Sequence, residues 1–316
     1  MNGKITIIGA GWVGASIAYT MVTQGIAADI VLIDINNDKA VAEAVDIKQA
    51  APFLVPARVK EGTYEDAVGS DIVVIASGVG RKPGQSRIDL AQTNVNILKS
   101  IAPEIVKYAP DAIYMFVANP VDVLTYVFCK LTGIPHTRVI GSGTSLDTTR
   151  LRTKLAELYS VNPTQIHGYV YGEHGDTSFV PWSLVNISGI PLADYENAIT
   201  NKSAVSVPDY THEEVEEYVR KSGGKIIAGK GATFYGIAAS VCYAVKAIYS
   251  GTDTILPVSV MLTGEYGVED VVISLPCVLC KEGIKTTLAP KLTDEETEKF
   301  RRSAEAMKAV IAQLEI

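Results

Sequence analysis

The sequence predicts an α/β fold: a doubly wound parallel sheet followed by a mixed α+β substrate domain. Three observations carry that expectation. Short apolar runs rich in β-branched residues recur through the first half, at residues 4–8, 30–33, 71–76, 113–118 and 138–140. Helical periodicity lies between them, the pattern of strands buried on both faces by helices. Composition then shifts near residues 141–144, which places a boundary between residues 1–142 and 143–316.

The first run, residues 4–8, leads directly into Gly9-Ala10-Gly11-Trp12-Val13-Gly14. Residues 15–24 carry apolar positions at helical spacing, and the second run ends at Asp34. This order of strand, G-x-G-x-x-G, helix, strand and acid is the dinucleotide fingerprint of a Rossmann-type sheet. The glycines permit a tight turn and close approach of backbone N–H groups to a pyrophosphate, whose charge the helix N-terminus favours. Asp34 is placed to accept from ribose hydroxyls and to repel a 2′-phosphate, so NAD is expected rather than NADP.

Three polar junctions follow later strands: Ser77-Gly78-Val79-Gly80, Asn119-Pro120-Val121-Asp122 and Gly141-Ser142-Gly143-Thr144. Ligands in such sheets lie at the carboxyl ends of strands, where these junctions fall. Asn119 either donates to a substrate oxygen or caps the next helix, and position alone favours the cap. Residues 80–87 form a basic loop bounded by Gly and Pro. It reads as a surface loop or as a lid that carries Arg81 and Arg87 over an anionic substrate.

The second half centres on Tyr171-Gly172-Glu173-His174-Gly175-Asp176. Imidazole exchanges protons near neutrality, and a nearby carboxylate fixes its tautomer and supports its charged form. Asp147 is the candidate carboxylate. Arg150 follows it by three residues on one helical face, and guanidinium is well shaped to clamp a carboxylate. An acid/base group beside a carboxylate anchor points to chemistry on a small carboxylic acid. Residues 146–158 read as a helix, and residues 166–171 lead into the His174 turn. Residues 209–220 read as an acidic helix that Gly223-Gly224 interrupts. A more buried helix, residues 225–248, is expected to contain Gly231 to Ile237. Hairpin-like strands follow in 256–284, and Thr293 with Glu296 opens a last helix in capping-box spacing.

Composition sets outer bounds. The 316 residues are 47% hydrophobic, enough for packed cores. A net charge of −7 argues against nonspecific nucleic-acid binding, which needs basic patches. No apolar run is long enough to span a bilayer, and the first strand begins too early for a signal peptide. The cysteines (129, 242, 277 and 280) form no disulfide framework, so a reducing cytoplasm is expected. Cys277 and Cys280 resemble half a zinc site without its partner pair, and no metal is expected.

With these motifs in order, the chain resembles the L-lactate/malate dehydrogenase family over essentially its whole length. The resemblance rests on Gly9 to Gly14, Asp34, Arg81 to Arg87, Asn119-Pro120, Leu146 to Arg150, and Gly172 to Asp176. It implies that His174 gives and takes the proton and that Asp147 orients it. It also implies that Arg150 holds the substrate carboxylate, Arg87 polarises the ketone and Asn119 helps position the substrate. NAD contacts are implied at Gly9, Gly11, Val13, Gly14, Asp34, Lys39, Tyr64, Gly78, Val79, Val117, Asn119 and Ser142. Arg81, at the position that reads the substrate side chain, points to malate. Thr233 and Ile237 resemble the residues that narrow the pocket around a methyl, and with the overall likeness they favour lactate. The expectation is therefore pyruvate and (S)-lactate as substrates, with malate dehydrogenase as the alternative. A catalytically silent NAD-binding or structural protein is the rival of another class. Retention of His174, Asp147, Arg150 and Arg87 together weighs against it.

The resemblance also extends to regulation. Arg152 and His167 stand where many bacterial lactate enzymes bind fructose 1,6-bisphosphate, which implies a homotetramer activated by that effector.

Overall fold

A computed structural model describes residues 3–80, 84–203, 205 and 208–316. The first half contains β1 (Lys4–Ile8), α1 (Trp12–Thr23), β2 (Asp29–Ile33), α2 (Asn37–Ala50) and β3 (Arg58–Glu61). It continues with β4 (Ile72–Ile75), α3 (Arg87–Tyr108), β5 (Ile113–Phe116), α4 (Val121–Thr132) and β6 (Val139–Gly141). The second half begins with α5 (Ser145–Tyr159), β7 (Ile166–His167), β8 (Asn186–Ile187), β9 (Ile190–Pro191) and α6 (Leu192–Ala198). It ends with α7 (His212–Lys230), α8 (Tyr235–Ser250), β10 (Thr254–Thr263), β11 (Glu269–Cys280), β12 (Gly283–Thr287) and α9 (Asp294–Ile311).

The main sheet runs β12-β11-β10-β6-β5-β4-β1-β2-β3. Strands β1 to β6 pair in parallel, and their order reverses between β1 and β4. Ile5, Ile7, Ile30, Leu32, Val73 and Val74 have no exposed surface, as expected of strands covered on both faces. The expected hairpins of the second half do not form a sheet of their own. Strand β10 joins the parallel sheet antiparallel, through Ser259 opposite Gly141. Glycine is needed there, because a Cβ on Gly141 would lie 2.7 Å from that of Ser259.

A second apolar cluster, including Leu151, Leu155, Ile166, Val215 and Val219, holds α5 and α7 over the small sheet β7-β8-β9. Capping boxes start α3 at Ser86, α7 at Thr211 and α9 at Thr293. The last is the one expected from Thr293 and Glu296. Among the described residues no helix is long and apolar enough to cross a membrane.

One expectation needs correction, and two strands are too short or too polar for an apolar run to mark them. Gly223-Gly224 does not interrupt a helix: α7 runs through it and stops at Gly231, whose φ of 86° an L side chain adopts poorly. Gly231 to Phe234 is thus the break between two helices. Strand β7 is confined to Ile166–His167, because Tyr171 turns to bridge with Phe179 and Gly172 with Ser274. Strand β3 escaped notice because Arg58–Glu61 is an edge strand with a single buried residue, Val59, and so lacks an apolar run.

Candidate active site

A cleft of about 380 Å³ opens at the carboxyl ends of β4, β5 and β6. Val13, Gly78, Val79, Val117, Asn119 and Ser142 line one wall, and Asp147, Arg150, His174, Thr233 and Ile237 line the other. The topological reversal of an α/β sheet is where such ligand crevices form.

The glycine turn beside this cleft fits a dinucleotide. Gly9 has φ 101°, and a Cβ on Gly14 would lie 1.8 Å from the Gly9 carbonyl oxygen, so both are fixed by close packing of strand and helix. Gly11 is different. A Cβ there would meet only the Lys39 ammonium, at 4.0 Å, which leaves the backbone open to approach beside a cation. Gly11 also caps α1 without any side-chain hydrogen bond, so it provides no side-chain acceptor for the amides of the first turn. Asp34 accepts from the Ala10 amide at 2.7 Å and the Asn36 amide at 2.9 Å, bracing the turn from the end of β2. Tyr64 packs against the core just past β3 and does not line the cleft.

The His174 turn is tied to three elements. Its own amide donates to Asp122 Oδ2 on α4 at 2.7 Å. Gly172 exchanges backbone bonds with Ser274 on β11. The Glu173 amide donates to Ser303 Oγ on α9 at 2.9 Å. Gly172 has φ 90°, and a Cβ there would lie 2.6 Å from Ser303 Oγ. Asp122 is buried and itself accepts from Ser259. Burial pushes its carboxyl up to about 6, against the Ser259 and His174 hydrogen bonds that favour the ionised form.

His174 Nδ1 lies 2.5 Å from Asp147 Oδ2, which leaves Nε2 as the ring's second nitrogen. The other oxygen of Asp147 accepts from Arg150 Nη1 at 2.7 Å. Asp147 and Arg150 occupy one face of α5, as their spacing predicted. The Asp147 charge lifts His174 to about 9, against the opposing effect of burial. Burial alone would raise Asp147, but the charge and hydrogen bonds of His174 and Arg150 bring it below the usual carboxylate range. The ring thus has a fixed orientation, a stabilised cationic form and a partly exposed edge.

The other expected residues that are described lie on the rim of the cleft, in its wall or behind it. Arg87 opens α3 and pairs with Asp176 at 2.7 Å on the rim of the cleft, where both side chains are mostly exposed. Arg81 lies outside the described residues. Asn119 does not cap α4 with its side chain, since Pro120 occupies the cap position without such a bond. Instead the Asn119 carbonyl accepts from Asn94 Nδ2 at 2.6 Å. Thr233 lies in the break between α7 and α8, and Ile237 in the first turn of α8. Arg152 turns away from the cleft, donates to the Gly168 carbonyl at 3.1 Å and lies over the Tyr169 ring, beside exposed His167.

Sequence reasoning missed Asn94, the function of Asp122, and the contribution of α7 to the cleft through Arg220, Gly223, Gly224 and Ile227. Asn94 is a polar residue at a core-facing helical position, which was a usable signal. Nothing in the spacing shows that Asp122 reaches His174.

Residues 3–141 match the lactate/malate dehydrogenase NAD binding domain, and residues 144–315 match the family's alpha/beta C-terminal domain. The chain is 46% identical over 313 residues to L-lactate dehydrogenase of Thermoanaerobacter sp. (strain X514), covering 99% of each chain. It is 45% identical over 305 residues to the L-lactate dehydrogenase of Clostridium botulinum (strain Langeland), covering 96% of this chain and 95% of the relative. A lactate dehydrogenase from a Medee basin deep-sea metagenome library superposes with a TM-score of 0.92 at 37% identity, over 99% of this chain and 98% of the other. The minor L-lactate dehydrogenase of Enterococcus mundtii does so at 0.92 and 36%, over 100% and 99%. An NAD-type glycine turn, a His174–Asp147–Arg150 cluster across one cleft and these full-length matches agree: the chain belongs to the lactate/malate dehydrogenase family.

Proposed function

We propose that this chain is an NAD-dependent L-lactate dehydrogenase that interconverts pyruvate and (S)-lactate. Residues 1–142 bind NAD and residues 143–316 supply the substrate chemistry. The observation that carries the reading is the Asp147 carboxylate shared between His174 and Arg150. It sets a proton donor and a carboxylate anchor at a fixed separation, which is what a 2-oxo acid requires. NADH, held at the glycine turn and Asp34, would supply the hydride and its two electrons to C2 of pyruvate. Arg150 holds the substrate carboxylate. His174 Nε2 gives its proton to the ketone oxygen as negative charge builds there, and Asp147 stabilises the imidazolium beforehand. Arg87, released from Asp176, polarises the same oxygen. Asn119 helps position the substrate, and Thr233 and Ile237 bound its methyl.

NADH absorbance decay with pyruvate and with oxaloacetate tests the reading. The expected result is a higher kcat/KM with pyruvate. An oxaloacetate advantage of tenfold or more, about 1.4 kcal/mol in transition-state binding, gives the reaction to malate and a direct role to Arg81. NADH binding without turnover of either acid gives a silent protein.

The reading extends to regulation, assembly and place. The enzyme is a cytoplasmic homotetramer activated by fructose 1,6-bisphosphate at Arg152 and His167. In support, Arg152 donates to the Gly168 carbonyl and lies over the Tyr169 ring, next in sequence to His167, and the four cysteines are free. Two copies of Arg152 across a two-fold axis would repel one another until a doubly phosphorylated sugar bridges them, with His167 as a further donor. The effector should then lower the KM for pyruvate and raise the mass seen by light scattering, and Arg152→Gln should abolish both. A flat titration near neutral pH removes this role.

A further inference from the structure

Ser259 on β10 and Ser274 on β11 stand opposite each other where the two strands pair, and neither has exposed surface. Their hydroxyls lie 3.1 Å apart inside a longer run of hydrogen bonds. The Thr144 amide donates to Ser274 Oγ at 3.1 Å, and Ser259 Oγ donates to Asp122 Oδ1. Each hydroxyl has one proton to give. That of Ser259 goes to Asp122, so Ser274 is the donor between the two serines. Every proton in the run therefore points toward the Asp122 carboxylate, which takes the His174 amide on its other oxygen. The two ends of the run meet again at the imidazole. Thr144 immediately precedes α5, the helix that carries Asp147, and Asp147 is the partner of His174 Nδ1. Gly172, from the same turn as His174, exchanges backbone bonds with Ser274.

We infer that Ser259 and Ser274 are positioning residues for the proton donor: through Asp122 they fix the His174 backbone relative to Asp147, and they do so only while Asp122 is ionised. The inference rests on His174 as the proton donor of the proposed reaction. Buried hydrogen bonds that run in one direction reinforce one another. A proton on Asp122 breaks that order. On Oδ2 it displaces the His174 amide. On Oδ1 it faces Ser259 and costs one of the serine hydroxyls its acceptor. Burial brings the Asp122 carboxyl up to about 6, which places this change just below neutrality. Two charged groups face it from the turn: His174 favours the ionised form, and Glu173 opposes it. Asp147 and Arg150 stand beyond the imidazole on α5.

The experiment measures kcat for pyruvate from about pH 5 to about pH 8, with NADH affinity followed by fluorescence. The wild type should lose kcat below about pH 6. Ser259→Ala removes a donor to the ionised carboxylate. It should lower kcat at neutral pH about tenfold, move the acid limb up by about one pH unit and change the NADH dissociation constant less than about twofold. Ser274→Ala leaves Asp122 its bond from Ser259 and should move the limb the same way by less. Asp122→Asn cannot titrate and should abolish the limb, and Ser259→Ala added to it should not bring the limb back. If Ser259→Ala does not fold, Ser274→Ala and Asp122→Asn decide. A limb that stays in place in the serine variants, or that survives Asp122→Asn, overturns the inference. So does a fall in kcat matched by an equal loss of NADH affinity. A wild type that binds NADH but turns over neither pyruvate nor oxaloacetate refutes the proposed reaction as well, and is thereby distinct from an unmoved limb in an active enzyme.

Discussion

The main-chain amide of His174 donates to the carboxylate of Asp122 at 2.7 Å, across 52 residues of sequence. The contact joins the helix that follows one cofactor-side loop to the turn that carries the proton donor. Removing the acceptor leaves a part-buried N–H unpaired, at a cost of about 1–3 kcal/mol. Asp122→Ala should therefore lower kcat at least tenfold while NADH affinity changes less than twofold. Asp122→Asn keeps an acceptor and should retain most of the rate. A loss of NADH affinity as large as the loss of kcat would show that Asp122 supports the fold at large rather than the His174 turn.

In the proposed reaction, reduction of the ketone needs a protonated His174. Its pKa is raised from the ordinary 6.5 to about 9, so the proton is in place across neutral pH. Pyruvate kcat/KM should stay level up to about pH 9 and fall above it, and lactate oxidation should rise over the same interval. Asp147→Asn removes the largest cause of the shift and should move the limb down by more than one pH unit. A limb that stays near 9 in this variant assigns it to another group. For stability the sign is the same. The raised pKa contributes fully below about 6.5 and its contribution is lost as pH rises through about 9.

On the proposed assignment turnover and cofactor binding rest on different residues, so His174→Ala should nearly abolish turnover and leave the NADH dissociation constant within about threefold, or about 0.65 kcal/mol. Fluorescence titration of the folded variant checks this. Loss of NADH binding would contradict the division between the two sites.

Asp34 should enforce preference for NADH through repulsion of a 2′-phosphate. Because Asp34 also braces Ala10 and Asn36, Asp34→Ser should weaken NADH binding and narrow the gap to NADPH. Equal kcat/KM for the two cofactors in the wild type would refute the role.

Asn94 is buried and bonds three main-chain groups: the Val79 amide at 2.9 Å, the Val79 carbonyl at 3.1 Å and the Asn119 carbonyl at 2.6 Å. It clamps together the loops after β4 and β5. Asn94→Ala should raise KM for both NADH and pyruvate, because Val79 and Asn119 lose a common partner. A change in only one of the two would show that the loops are positioned independently.

The parallel strands, the glycine turn and the His174–Asp147–Arg150 cluster were legible because each is local or rests on a short spacing. Apolar runs mark buried strands, and residues three apart on a helix share a face. What supports the cluster was not legible. Asp122 by its carboxylate, Ser303 by its hydroxyl and Ser274 by its main chain reach the His174 turn from three distant elements, and no local spacing marks them in sequence. The two glycines of α7 misled for a related reason. Glycine usually marks a helix end, and only the folded chain shows that these face a cleft while Gly231, with its positive φ, ends the helix.

The junction of β10 with β6 has a bearing on how the protein can be divided. A chain cut after Ser142 would retain the glycine turn and Asp34, proposed to bind the dinucleotide, and Asn94, which braces the loops after β4 and β5. It would also expose β6 as a bare sheet edge flanked by the apolar faces of β5 and α4. Such an edge is a template for pairing with other chains. The excised half should therefore associate with itself unless residues 143–316 are supplied alongside it, and the dehydrogenase should tolerate splitting at this point only as a co-produced pair.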